Sequence, residues 1–115
     1  MKQLKSILAL TCSIVLFFGT ASAQKDTTIQ IKTSSQCEEC KAKIEHALTF
    51  EKGVKKVNLD VKTKIVTVSY NPGKTTAEKV RKAITKVGYD ADDMPADVKA
   101  YNKLSKCCQK GGHGE

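Results

Sequence analysis

Apolar and polar residues alternate over residues 27–33, and this period of two predicts a strand with one covered face. From Cys37 to Phe50 the apolar residues instead recur every three or four positions, which predicts an amphipathic helix. Gly53 follows, and glycine is the usual residue for the left-handed turn that ends a helix. The first two predicted elements are therefore a strand and a helix.

Two runs rich in β-branched residues come next, over residues 54–61 and 65–70. Because only a short polar stretch separates them, they are predicted to pair as an antiparallel hairpin. A second helical pattern begins at a threonine cap, Thr75 or Thr76, and continues to Val87. A hairpin and a second helix thus follow the first strand and helix.

The short acidic stretch 89–93 is the candidate for a last strand. With it, the order of elements is strand, helix, strand, strand, helix, strand, which is the split β-α-β unit repeated twice. The sequence therefore predicts an α+β fold, a ferredoxin-like β-α-β-β-α-β sandwich with two helices on one face of an antiparallel sheet.

A short C-terminal helical tail is predicted beyond this sandwich. Pro95 can start a third helix, which would extend to Leu104 and precede the adjacent residues Cys107 and Cys108. At about 1.5 Å per residue, such a helix returns roughly 15 Å along the sheet. A return of this length is enough to bring Cys107 and Cys108 beside the loop that follows the first strand.

Residues 1–23 have the pattern of a cleavable export signal. Two lysines precede the apolar run Ile7–Phe18, and Ala21-Ser22-Ala23 is the small-x-small pattern after which signal peptidases cut. The run is shorter than the roughly 20 apolar residues that a membrane-spanning helix needs. We therefore expect cleavage after Ala23, which also removes Cys12. We further expect a periplasmic or secreted location and no stable membrane insertion.

The composition narrows the class of protein. The chain has 115 residues, with 20 Lys and Arg against 12 Asp and Glu. This length gives one small domain rather than a two-lobed enzyme with a deep cleft. Outward positions of the predicted sheet, such as Gln30 and Thr67, lack the aromatic residues on which RNA-binding domains stack bases. We therefore expect a monomer that binds no nucleic acid.

Cys37 and Cys40 are the candidate metal-binding residues, because they lie one turn apart at the start of the first predicted helix. Unpaired backbone N–H groups at a helix start stabilise a thiolate. Two thiolates on an exposed loop can bind opposite sides of one soft ion, and Cu(I) and Hg(II) suit sulfur best. Glu38 and Glu39 lie between them and either add oxygen ligands, which favours Zn(II) or Cd(II), or only stabilise the first helical turn.

Cys107 and Cys108 have two interpretations. If the tail returns to the first loop, they supply auxiliary thiolates to the metal site or protect it by disulfide exchange. If it does not, they and His113 form a tail that binds metal only weakly.

A β-α-β-β-α-β chain with a Cys-x-x-Cys pair in its first loop resembles the heavy-metal-associated domain family, over roughly residues 27–93. Cys37 and Cys40 match the metal ligands of that family, and Gly53-Val54 and Val87-Gly88-Tyr89 match its turns. The resemblance implies that Cys37 and Cys40 bind the metal. It also implies that Tyr89 lies beside the metal loop.

The resemblance extends to exported members of the family, the periplasmic mercury-binding and secreted copper-chaperone-like proteins. Together with the signal pattern and the predicted tail, it divides the chain into a signal peptide (1–23), a heavy-metal-associated domain (24–94), and a C-terminal helix with a Cys- and His-containing tail (95–115). The family usually has Gly-Met-Thr before its first Cys, whereas this chain has Ser34-Ser35-Gln36. We therefore expect this loop to be less firmly anchored.

The predicted function is that of an exported soft-metal-binding protein without enzymatic activity. Cys37 and Cys40 would hold the cation, and the resemblance implies transfer by thiolate exchange to a membrane metal transporter or another metal-binding domain. The alternative is a periplasmic thiol-disulfide oxidoreductase with Cys37 as nucleophile. Against the alternative, Gln36 stands where thioredoxin-like proteins usually have an aromatic residue.

Overall fold

The computed structural model describes residues 25–111, so the proposed export signal, Cys12 and His113 lie outside the described residues. The elements are β1 (Thr27–Lys32), α1 (Glu38–Thr49), β2 (Val54–Asp60), β3 (Ile65–Tyr70), α2 (Ala77–Lys86), α3 (Val98–Asn102) and a 3-10 turn (Lys106–Cys108). The predicted order is confirmed as far as α2, and the fold is a ferredoxin-like α+β sandwich.

The three strands form an antiparallel sheet in the order β1-β3-β2. The register places Val66 opposite Ile31 on one side and opposite Leu59 on the other. All three side chains are fully buried, because strand alternation turns this row towards the helices. The opposite face carries polar residues such as Thr67 and Ser69, which are only partly covered.

The two long helices cover the inner face of the sheet. α1 buries Ile44 and Leu48, and α2 buries Val80 and Ile84. The hydroxyl oxygen of Thr76 caps α2 by accepting a hydrogen bond from the backbone N–H three residues later, as the sequence predicts. These four apolar residues and the inner row of the sheet form one hydrophobic core.

The predicted last strand over residues 89–93 is reduced to isolated bridges. Ala91 pairs with Thr33 and with Met94. The chain reverses between Ala91 and Met94, which exchange two backbone hydrogen bonds of 2.9 Å, and Asp92 adopts a positive φ of 54°. This tight turn prevents the stretch from continuing as a fourth strand.

The third helix is shorter than the predicted span from Pro95 to Leu104. Ala96 lies outside the helix, and its backbone N–H donates to the Asp90 carboxylate at 2.9 Å. The side chain of Asp97 then caps α3 by accepting from the N–H of Ala100. The helix therefore begins at Val98, after these two aspartates have fixed the preceding segment.

Residues 98–111, which we call the C-terminal strap, pack back onto the domain. Leu104 is buried in the common core, and a hypothetical Cβ on Gly88 would lie 3.1 Å from it. The Lys110 ammonium forms an ion pair of 2.7 Å with Asp90, and the Lys110 N–H donates to the Tyr101 hydroxyl. The strap is thus attached by apolar packing and by polar contacts near its end.

Within the described part of the chain, the helices are all too short or too polar to cross a bilayer.

Substitution of Gly88 tests how closely the strap packs. Gly88→Ala should lower the free energy of unfolding by about 1–3 kcal/mol, because the residue has a φ of +104° and its new Cβ would lie 3.0 Å from the Ala100 carbonyl oxygen. Gly111→Ala is the matched control, since its φ is also positive but its Cβ would meet nothing within 4 Å. Urea unfolding measures both, and equal losses would contradict the packing role of Gly88.

Candidate metal centre

A network of small polar side chains holds the loop between β1 and α1. The Thr33 hydroxyl donates to the Lys64 carbonyl at 2.8 Å and contacts the Ser35 hydroxyl at 3.1 Å. The Ser34 hydroxyl accepts from the backbone N–H of Asp90 at 2.9 Å. Thr33 and Ser34 therefore attach this loop to the turn between β2 and β3 and to the segment that follows α2.

Cys37 is the N-cap of α1 and Cys40 lies in its first turn. The Cys37 and Cys40 Sγ atoms are 3.6 Å apart, and no disulfide joins any of the cysteines within residues 25–111. The helix start therefore presents two thiols close enough to bind one ion.

The prediction that both thiols are exposed is wrong for Cys40, which has no exposed surface. Cys37 is partly exposed. The reason was readable from the sequence, because Cys40 precedes Ile44 and Leu48 at intervals of four and shares their buried stripe. Solvent therefore reaches this pair of sulfurs only at Cys37.

The C-terminal strap brings a third sulfur to this pair. The Sγ atoms of Cys37, Cys40 and Cys108 all lie within 4.8 Å of one another, and Cys108 is 1% exposed. Of the two interpretations of the tail, the structure therefore shows the one in which it returns to the first loop, through a shorter helix and a 3-10 turn. Leu104 and Cys108, four residues apart, are both buried in this segment.

Cys107 has different surroundings from Cys108. Its thiol donates to the Glu39 carboxylate at 3.2 Å, and the Ser105 hydroxyl donates to the other oxygen of that carboxylate at 3.0 Å. The Cys107 carbonyl accepts from the Cys37 thiol at 3.9 Å. Glu39, Cys107 and Cys108 form a second group whose ligand atoms lie within 4.8 Å of one another. Sequence reasoning missed this contact between Glu39 and the strap.

The surroundings of Glu39, Cys107 and Cys108 shift the pKa values of all three groups. A hydrogen bond from Cys107, followed by one from Ser105, lowers the pKa of Glu39. A hydrogen bond with Ser105 lowers the pKa of Cys107, but the Glu39 carboxylate, desolvation and the Cys37 thiol together raise it to about 11. Burial, and then the Cys40 thiol, raises the pKa of Cys108. The surroundings of both strap thiols therefore disfavour the thiolate form.

Tyr89 lies next to the buried sulfurs. Its side chain is fully buried, and its hydroxyl is one of two buried side-chain oxygens in the described residues without a hydrogen bond of standard geometry. Burial, followed by the thiols of Cys40 and Cys108, raises the pKa of Tyr89. The site thus contains a buried hydroxyl beside two buried thiols, and its polar hydrogen has no strong acceptor.

The family described as "Heavy-metal-associated domain" matches residues 36–90 of this chain. The Copper-exporting P-type ATPase of Staphylococcus saprophyticus is 38% identical over 85 residues, which are 74% of this chain but 10% of the ATPase. The Mercuric transport protein periplasmic component of Shewanella putrefaciens is 27% identical over 86 residues, covering 75% of this chain and 93% of that protein.

The solved apo form of the copper chaperone of Enterococcus hirae is also similar. It is 30% identical, with a TM-score of 0.52, and the match covers 55% of this chain and 94% of the chaperone. The family match ends at residue 90, so it includes Cys37, Cys40 and Tyr89 but not the C-terminal strap.

Replacement of Glu39 should make Cys107 more reactive. Glu39→Gln removes the carboxylate that raises the Cys107 pKa, so more thiolate is present at pH 8 and alkylation by iodoacetamide becomes several-fold faster. Glu38→Gln is the matched control, because Glu38 is exposed in the same turn. Mass spectrometry of the modified peptides follows Cys107 separately, and equal rates in both variants would refute this account of its pKa.

Proposed function

Because this chain belongs to the heavy-metal-associated domain family, we propose that it binds a thiophilic cation on Cys37 and Cys40 and passes it on by thiolate exchange. The recipient would be a membrane metal transporter or another metal-binding domain. The protein acts in this proposal as a carrier and not as an enzyme.

The 3.6 Å separation of the Cys37 and Cys40 Sγ atoms at the start of α1 carries this proposal. Each thiol loses its proton when it binds, and the backbone N–H groups of the first helical turn favour the resulting negative charge. A metal held by few sulfurs remains open to attack by a sulfur of the recipient. The ion can therefore move between proteins through shared intermediates without entering solution.

The donor atoms favour a soft ion, Cu(I) or Hg(II), with Zn(II) or Cd(II) as further candidates. The relatives support the same group of metals, because one is described as copper-exporting and another as a mercuric transport protein. The cation is the cargo of the protein in this proposal.

We also propose that the protein is exported. The signal pattern over residues 1–23 supports this location, as does the similarity to a protein described as a periplasmic component. A carrier outside the cytoplasm would meet ions before they reach a transporter.

Anaerobic titration of the reduced protein with Cu(I), Hg(II), Zn(II) and Cd(II) tests the cargo. Tight one-to-one binding of a soft ion should be lost in Cys37→Ser and in Cys40→Ser, because each removes one of two essential sulfurs. Cys107→Ser is the matched control, since Cys107 lies outside the group formed by Cys37, Cys40 and Cys108. Metal-independent disulfide reductase turnover that requires Cys37 would instead support the oxidoreductase.

Expression of the full chain in a Gram-negative bacterium tests export. The protein should be recovered from the periplasm with Gln24 as its first residue, because the apolar run directs export and the peptidase cuts after Ala23. Leu10→Arg is the control, because a charge within the apolar run should retain the protein in the cytoplasm. Recovery of the uncleaved chain from the cytoplasm would contradict the proposed location.

A further inference from the structure

The C-terminal strap changes the number of sulfurs available to an ion. We propose that Cys108 is a third metal ligand, so that Cys37, Cys40 and Cys108 form a trigonal three-thiolate site for a divalent thiophilic cation. This inference rests on the proposed function and adds to it a ligand from outside the matched family region.

The spacing of the three sulfurs suits trigonal coordination. An ion about 2.3 Å from each of three sulfurs in one plane requires sulfurs roughly 4 Å apart. The Cys37 and Cys40 Sγ atoms are 3.6 Å apart, and Cys108 completes a triangle with no edge longer than 4.8 Å. Small side-chain rotations therefore suffice to bring all three sulfurs to one ion.

The buried hydroxyl of Tyr89 is a second, independent observation that points to a charged ligand. It has no hydrogen bond of standard geometry, although it lies beside Cys40 and Cys108. A thiol is a weak acceptor, whereas a metal-bound thiolate is a much better one. Metal binding would therefore give this orphaned hydroxyl an acceptor at either sulfur.

Charge balance selects the class of cation. Three thiolates carry three negative charges, so a divalent ion leaves a net charge of −1 and a monovalent ion leaves −2. Cys40 and Cys108 are essentially inaccessible to solvent, and the cost of burying charge rises steeply with its magnitude. The site should therefore retain Hg(II), Cd(II) or Zn(II) with three sulfurs, whereas Cu(I) needs only Cys37 and Cys40.

The third ligand also makes the strap a gate for metal transfer. Cys37 is the partly exposed sulfur, so a recipient thiol would approach from its side. Transfer is complete only when Cys108 releases the ion and the strap moves away from Cys40. The ion pair between Lys110 and Asp90 holds the end of the strap and should slow this step.

Cd(II) is the probe for coordination number, used anaerobically with a phosphine reductant. The wild-type protein should show three thiolate ligands by ¹¹³Cd NMR and by sulfur-to-metal charge-transfer absorption. Cys108→Ser should reduce this count to two and weaken Cd(II) binding by more than the roughly 10- to 100-fold that loss of an outer partner costs. Cu(I) affinity should change little.

Controls separate a ligand role from a packing role. Cys107→Ser should keep three thiolates, because Cys107 is adjacent in sequence but contacts Glu39 instead. Cys108→Ala supplies an apolar replacement should serine disturb the buried position, and ¹⁵N spectra of the metal-free variants report whether the fold is retained. Three thiolates in both Cys108 variants would overturn the inference.

The outcomes distinguish this inference from the proposed function. Loss of Cd(II) binding in Cys37→Ser and Cys40→Ser, together with unchanged binding in Cys108→Ser, would refute the third ligand and leave the two-cysteine carrier intact. Absence of soft-metal binding in the wild-type protein would refute both.

The gate is tested by transfer of Cd(II) from the loaded protein to a competing chelator. Lys110→Gln should accelerate transfer by up to about fivefold, which is the range for loss of one exposed ion pair. Lys106→Gln is the matched control, because Lys106 is an exposed strap lysine for which the described residues show no ion pair. Equal rates in the two variants would contradict the gating role of the strap.

Discussion

The number of cysteines at the candidate metal site depends on one contact, the close packing of the C-terminal strap against Gly88. Gly88 has a positive φ and leaves room where a side chain would meet Ala100 and Leu104. Leu104 can therefore join the core, and the 3-10 turn that follows carries Cys108 to the sulfurs of α1. Without this approach, the chain would present only the two cysteines of the first loop.

Burial by the strap changes the electrostatics of the sulfurs. The strap thiolates are disfavoured, because burial and the Cys40 thiol raise the pKa of Cys108 and the Glu39 carboxylate helps to raise that of Cys107. A soft cation reverses this balance, since its charge compensates the thiolates that form on binding. The same enclosure that disfavours charged sulfur without metal therefore strengthens the interaction once an ion enters.

The similarity to copper and mercury proteins covers the sandwich and its first loop but not the strap. Tyr89 connects the two parts, because it lies in the matched region and beside the unmatched Cys108. In the proposed function, the shared domain supplies the two sulfurs that bind a soft metal. In the proposal made above, a segment outside that domain sets the coordination number, and with it the preference among thiophilic ions and the rate of release.

The sequence by itself determined the sandwich and the Cys37-Cys40 pair, because hydrophobic periodicity and a spacing of three residues are local properties of the chain. It also contained an overlooked sign that Cys40 is buried, its position on the stripe of Ile44 and Leu48. The tertiary structure alone decided the rest. It reduced the last strand to bridges, gave Cys107 and Cys108 different neighbours and placed Glu39 against the strap. These outcomes depend on hydrogen bonds and packing between residues far apart in the chain.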